Sequence, residues 1–231
     1  YAPNNAIICI SGNISENKAL ELVKKWFGDI PPTPYAYPEI PAEPIQAESR
    51  RLVSRHNKVT SDALYKVYHM DKRLSGNFYC CDIISDLLSN GQSSRLYQNL
   101  IKNTREFSEI EAYVGGEYDP GLFIFSGKIA GNTSVEKAEE ALLNEIAGFI
   151  HDPITDREFE KILNKTEARI SYSEINYQNK AANLAYFEFL GDIDLINTEK
   201  VRYEKTDIRQ VKATAQEIFR AENCSTLLYL K

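Results

Sequence analysis

Three histidines, four cysteines and one glycine–serine turn are the places where this 231-residue chain could do chemistry. His56, His69 and His151 are scattered, and none has a second His or Cys at metal-ligand spacing. Neither H-E-x-x-H nor H-x-x-E-H occurs, so no helix here offers two zinc-binding imidazoles beside a carboxylate base. The histidines read as ordinary surface or partly packed residues. Cys9, Cys80, Cys81 and Cys224 follow no disulfide or zinc spacing and read as reduced or buried small apolar side chains. A Cys–His nucleophile pair would meet only in space. Nothing like a nucleophile elbow surrounds Cys80–Cys81, and both fall on the apolar side of a helix. No Walker loop or dinucleotide fingerprint is present. Gly115–Gly116 lies inside strand-like sequence and reads as a bulge or bend rather than a phosphate cradle.

The most distinctive stretch is Leu87-Leu88-Ser89-Asn90-Gly91-Gln92-Ser93-Ser94-Arg95-Leu96-Tyr97. Its residue types predict a helix, a tight glycine turn and a serine-capped helix start. Free N–H groups in such a turn could hold a peptide carbonyl or carboxylate. The plainer reading is a helix–helix corner.

Composition narrows the function classes. Apolar residues make up 43% and charged residues 26%, ordinary for a globular chain and unlike disorder. The formal net charge of −6 argues against a phosphate-backbone partner, so no nucleic acid is expected. No stretch approaches the roughly 18–20 uninterrupted apolar residues of a membrane span. The chain opens at Tyr1 without Met or a signal sequence, so it reads as a fragment. Compartment stays open, with bacterial cytoplasm and periplasm both compatible.

The elements that must position these residues follow an α+β pattern. Ala6–Ile10 is a short apolar run that reads as a buried strand. Ser15 is a candidate N-cap for a helix with Ala19, Leu22, Val23, Trp26 and Phe27 on one face, ended by Gly28. Pro31, Pro32, Pro34, Pro38, Pro41 and Pro44 then predict an extended connector and a domain boundary. Beyond it, alternation around Ala63, Tyr65, Val67 and His69 predicts a strand with one covered face. A helix carrying Cys80, Cys81, Ile84, Leu87 and Leu88 follows, stopped by Asn90–Gly91. Ser93–Ser94 could cap a second helix with Leu96, Tyr97, Leu100 and Ile101. Strands near 107–117 and 121–130 pair across Tyr118-Asp119-Pro120-Gly121. Capping-box signatures at Thr133–Glu136 and Thr155–Glu158 open two helices. Further helices cover 178–190, 193–203 and 207–221, and Ser225–Leu230 is the last strand.

The chain ends also match each other. Tyr1–Asn5 before Ala6–Ile10 parallels Phe219–Asn223 before Cys224–Leu228, each an aromatic, a short polar turn with Asn, then a strand. This domain-sized offset suggests that the chain enters near the end of one repeat and completes a second.

In order along the chain, Tyr1-x-Pro3-x-Asn5-Ala6, the Ser11-Gly12-Asn13 turn and the Trp26-Phe27-Gly28-Asp29-Ile30-Pro31 helix end are similar to the pitrilysin (insulinase-type) zinc metallopeptidases. So are Leu88-x-x-Gly91-x-Ser93-Ser94-Arg95-Leu96-Tyr97, Asp119-Pro120-Gly121-Leu122-Phe123 and Pro153-Ile154-Thr155. The resemblance spans essentially the whole chain and is nearest to bacterial members related to mitochondrial processing peptidase.

The resemblance implies homologous α+β halves facing each other across a substrate chamber, each an antiparallel or mixed sheet covered on one face by helices. It places residues 1–30 at the tail of a preceding half, 31–47 in a linker and 48–231 in a complete C-terminal half. The inverted zinc motif would lie upstream of Tyr1, so this chain carries no cofactor and zinc is expected in the catalytic half. Some second halves contribute an Arg and a Tyr, seven positions apart, that hold the substrate carbonyl. Here the matching slots hold Lys102 and Ser108, whereas Arg105 and Tyr113 are eight apart and would need a shifted register. The pair reads as absent, to be supplied by a partner subunit.

The expectation is thus a non-catalytic half of a zinc metalloendopeptidase, packing on a zinc-bearing half or subunit in a dimeric assembly. It would form a wall of the peptide chamber through Ser93, Ser94, Arg95 and Lys102. The alternatives are a purely structural subunit, like the family's inactive core proteins of respiratory complexes, and a stand-alone module that captures extended peptides at its sheet edge.

Overall fold

A computed structural model describes residues 2–34, 41–116 and 118–231. Residues 35–40 of the expected connector, and Glu117 at the end of an expected strand, lie outside them. Two compact units emerge: Tyr1–Pro44 with Lys165–Arg202, and Ile45–Asn164 with Tyr203–Lys231. In chain order the helices are α1 (Glu16–Phe27), α2 (Gly76–Ser89), α3 (Val135–His151), α4 (Asp156–Ser173), α5 (Tyr177–Phe189), α6 (Leu195–Glu204) and α7 (Ile208–Ile218). The strands are β1 (Arg50–Arg55), β2 (Ala63–Met70), β3 (Phe107–Gly115), β4 (Gly121–Ile129) and β5 (Cys224–Leu230).

The larger unit is built on a mixed five-stranded sheet, ordered β1-β5-β2-β4-β3. β1 runs parallel to β5, and every other neighbouring pair is antiparallel. α2 and α7 pack against the sheet, with α3 against α7. α2 is buried nearly all round, by Phe78, Tyr79, Ile83, Ile84, Leu87 and Leu88 as well as both cysteines, as befits a helix with neighbours on two sides. Each such large side chain contributes roughly 1.5–3 kcal/mol when fully buried. Phe219, at the end of α7, stacks edge-on against Tyr68 and Phe123, each with ring centres 5.1 Å apart. A Cβ at Gly127 of β4 would stand 2.6 Å from the Phe107 ring, so only glycine leaves room for it.

β2 has one covered face, as its alternation predicts. Leu64, Lys66, Tyr68 and Met70 are buried, and Tyr65, Val67 and His69 remain partly exposed. The cause is an ion-pair network that lets Lys66 face inward. Its Nζ lies 2.8 Å from Glu139 Oε1 on α3 and donates to Thr226 Oγ1 at 3.0 Å. Arg51 of β1 forks onto both Glu139 oxygens at 2.8 Å. Arg51 holds the Glu139 carboxyl down at about 2, against the opposing effect of burial and with Lys66 assisting. A second latch fixes the entry to β1: Gln46 Nε2 donates to the Glu222 and Cys224 carbonyls, and its Oε1 accepts from Ser225 Oγ.

Local signals explain the helix starts. Ser15 caps α1, with its Oγ accepting from Lys18 N. Thr155 and Glu158 form the reciprocal box expected of them. The Thr133–Glu136 signature resolves differently, because Ser134 is the cap and accepts from Lys137 N. A further box at Asp207 and Gln210 opens α7. Of the bulge or bend expected at Gly115–Gly116, no bulge falls there, since Gly115 pairs in register with Leu122 and ends β3; the β3–β4 register slips instead between Phe107 and Glu109, at Ser108.

In the smaller unit, a 3-10 turn at Pro3–Asn5 leads into residues 6–10. Those residues belong to no ladder, correcting the strand expected there, since a strand needs a neighbour to accept its hydrogen bonds. Ile8 and Ile10 are about half exposed, and Trp26 on α1 is 68% exposed. Asn4 brackets the backbone of Thr33, donating to its carbonyl and accepting from its N–H at 3.2 Å.

Glu139→Ala should cost about 3 kcal/mol in urea unfolding, because it leaves the Lys66 ammonium buried without its carboxylate. The folded-state pKa of Glu139 lies below its unfolded value, so its stabilisation is full above that unfolded value and is lost as pH falls toward 2. A wild-type pH series should show this acid-side loss, and Glu139→Gln should lack that component. Equal acid sensitivity in both proteins would contradict the network's role.

Candidate substrate-facing turn and sheet face

The Gly91–Arg95 turn is held rigidly by the elements around it. Asn90 ends α2, donating its N–H to Asp86 O, and Gly91 takes φ +91°, a conformation L side chains rarely adopt. Ser94 N–H closes onto Gly91 O at 3.0 Å, and a helical segment follows that widens into a π-helix at Tyr97–Asn103. Ser93, Ser94 and Arg95 therefore share one turn, and Lys102 sits at the far end of the π-helix. Ser93 is exposed, and its Oγ accepts from Lys161 Nζ at 3.0 Å. Ser94 is 2% exposed, with an unpartnered hydroxyl. Lys102 is exposed and reaches Gln98 Oε1 at 3.4 Å.

Arg95 points into the fold. Its Nε and Nη2 fork onto Glu158 at 3.2 Å, and Nη2 also donates to Pro153 O at 3.0 Å. The guanidinium lies 5.3 Å from the Phe149 ring centre, and Lys212 approaches the same ring at 5.5 Å. Lys212 also caps the end of α3 by donating to the carbonyls of Phe149, Ile150 and Asp152. Burial would raise the Glu158 carboxyl, but the Arg95 and Thr155 bonds outweigh it and leave the group below the usual range. Arg95 is thus a positioning residue: it ties the turn to the α3–α4 junction.

Arg105 and Tyr113 lie on either side of an irregularity in β3. Arg105 has φ +60° between the π-helix and β3, a strained setting for a side chain of its size. Tyr113 is 43% exposed on β3, opposite Ile124. The Ser108 bulge lies between them and adds one residue to β3 without advancing β4 beyond a single step.

The sheet face away from the helices is the feature that sequence reasoning missed. Register sets Tyr113, Ile124, Val67 and Ser225 in one row and Ser126, Tyr65, Leu227 and Leu52 in the next. β2 is apolar on both faces, which was the available signal, and which of them is covered depends on the distant partners of Lys66.

The described residues do not assemble a zinc site. His56 follows β1 with its ring 5.5 Å from that of Tyr229, His69 is in β2, and His151 ends α3. Among the described residues no group of three or more His, Cys, Asp or Glu could hold a metal ion. Burial pushes the Cys80 and Cys81 thiols up, away from the reactive thiolate.

Residues 1–166 match the family model described as the peptidase M16 inactive domain. The chain belongs to this family. As an M16 inactive domain it is the non-catalytic part of a zinc-protease fold. It is 26% identical to the zinc protease PqqE of Helicobacter pylori over all of this chain and 52% of that protein. It is 22% identical to the uncharacterized zinc protease YmxG of Bacillus subtilis, over 87% of this chain and 50% of that one. The chain spans about half the length of the curated relatives it matches. The crystal structure of a protease from Helicobacter pylori shares its fold with a TM-score of 0.89 at 21% identity, covering 96% of this chain and 54% of that one. An M16 inactive domain from Pseudomonas fluorescens gives 0.78 at 14% identity, covering 95% and 52%.

Arg95→Ala should destabilise this M16 inactive domain by about 1–2 kcal/mol in urea unfolding and raise the Glu158 carboxyl pKa read by NMR. Arg95→Lys should restore only part of the loss, because an ammonium cannot fork. Unchanged stability in Arg95→Ala would contradict the positioning role.

Proposed function

We propose that this chain forms one wall of a peptide chamber, completed by a zinc-bearing half or subunit of the same family. The whole protein is a zinc-dependent metalloendopeptidase in this reading, with zinc held by the catalytic half. The observation that carries it is a sheet with one face packed by helices and the opposite face left with partly exposed Tyr65, Val67, Leu122, Ile124 and Tyr113. Such a face orients an extended peptide and excludes water on the side away from the metal. Ser93 and Lys102 add polar contacts at the exposed ends of the Gly91 turn and the π-helix, Ser94 fills the turn beneath them, and Arg95 holds it.

Against the sequence expectation that a partner subunit supplies the Arg–Tyr pair, this reading assigns it to Arg105 and Tyr113 of this chain, with the Ser108 bulge lying between them. Donors placed where charge develops on a scissile carbonyl lower the barrier without taking part covalently.

Residues 1–30 are the tail of the preceding half, joined through the proline-rich segment. Two matching passages support this reading. A 3-10 turn at Ala221–Asn223 leads into β5, as the turn at Pro3–Asn5 leads into the extended residues after it.

In the natural-length protein, Arg105→Ala and Tyr113→Phe should each lower kcat/KM for peptide cleavage by about tenfold to a hundredfold. Zinc content and melting temperature should stay unchanged. If both variants cleave like wild type, this chain touches no reacting group, and the purely structural reading replaces the chamber wall.

A further inference from the structure

β1 is an edge strand whose hydrogen-bonding groups can be assigned side by side. His56 N–H donates to Leu230 O at 2.9 Å, and Arg55 stands opposite Leu230 in the parallel register. Each residue of a strand turns its N–H and C=O to the same side, and successive residues alternate. Arg50, Leu52 and Ser54 therefore bond to β5. Arg51, Val53 and Arg55 turn their N–H and C=O groups outward.

The outward edge is both open and basic. Leu52 is 63% and Val53 47% exposed, and the arginines are exposed too. Three arginines fall within six residues of a chain whose net charge is −6. Arg51 is committed to Glu139, whereas Arg50 and Arg55 join no ion pair among the described residues. The opposite edge differs in kind. β3 carries Glu109 and Glu111, Glu109 is paired with Lys128, and the Ala112 carbonyl already accepts from Ser89 Oγ.

We propose that the β1 edge takes up an extended acidic peptide segment by strand addition. The outward groups of Arg51, Val53 and Arg55 bond its backbone, and Leu52 and Val53 meet its aliphatic side chains. Arg50 and Arg55, near the two ends of the strand, engage its carboxylates. Main-chain bonds supply the affinity and the arginines supply the choice of charge. This surface lies on the sheet's edge, apart from the face of the chamber reading, and stands whether or not that reading does.

The test is fluorescence anisotropy of the natural-length protein with two end-capped peptides of about ten residues, one alternating Glu and Val, the other Lys and Val. The Glu–Val peptide should bind saturably, more weakly as salt rises, and the Lys–Val peptide should not bind. Val53→Pro removes an outward donor without breaking a β1–β5 bond, so it should weaken binding about tenfold or more while the thermal melt holds. The double variant Arg50→Glu/Arg55→Glu should reverse the preference toward the Lys–Val peptide, and it decides the matter if Val53→Pro fails to fold. No saturable binding of the Glu–Val peptide, or unchanged affinity in a folded Val53→Pro protein, overturns the proposal. So does an unaltered charge preference in the double variant.

Discussion

A lysine ammonium buried in the middle of a sheet is the constraint on which much of the larger unit depends. Lys66 is 4% exposed, and an unpaired charge there would cost more than most single contacts return. Glu139 must therefore stand over β2, which fixes where α3 crosses the sheet. Arg51 must reach the same carboxylate, which fixes β1 as the parallel neighbour of β5. With Lys66 turned inward, Tyr65 and Val67 turn outward, and the sheet acquires a second apolar face. The fold and the proposed chamber wall thus share one electrostatic cause.

The Gly91 turn shows the same economy at the other end of the sheet. Gly91 permits the reversal, Arg95 anchors it to Glu158 and Pro153, and Lys212 closes the end of α3 from α7. The π-helix and the Ser108 bulge then adjust the path into β3. Each irregularity of this stretch falls between the turn and Tyr113. Extra residues in a helix or strand re-aim the side chains beyond them, as the proposed chamber wall requires of this stretch.

Signals confined to a few neighbouring residues were legible in the sequence. Ser15, the Thr155–Glu158 box, the Asn90–Gly91 stop and the β3–β4 turn depend on local backbone chemistry and sit where their residue types predict. Features set by distant partners were not. The inward face of β2 depends on Glu139, more than seventy positions away, so alternation gave the period and left the side open. Ala6–Ile10 has strand composition without a strand's neighbours, and composition carries no information about neighbours. The π-helix lacks any residue signature, and the Ser108 bulge shows only as a register slip. The site is legible to the same degree: the turn was found as a motif, whereas Arg95's inward role and the second sheet face needed the structure.

The M16 inactive domain therefore has the family's scaffold and, among its described residues, no metal-binding cluster. The central claim is that its part in peptidase chemistry is to complete a chamber rather than to cleave. The direct measurement is zinc content and peptide cleavage, run side by side on this chain and on the natural-length protein, alone and with its zinc-bearing partner. A metal-free, inert chain beside a longer protein or complex that binds zinc and cleaves is the predicted result. Stoichiometric zinc and cleavage by this chain alone would contradict it and return His56, His69 and His151 to the centre of the question.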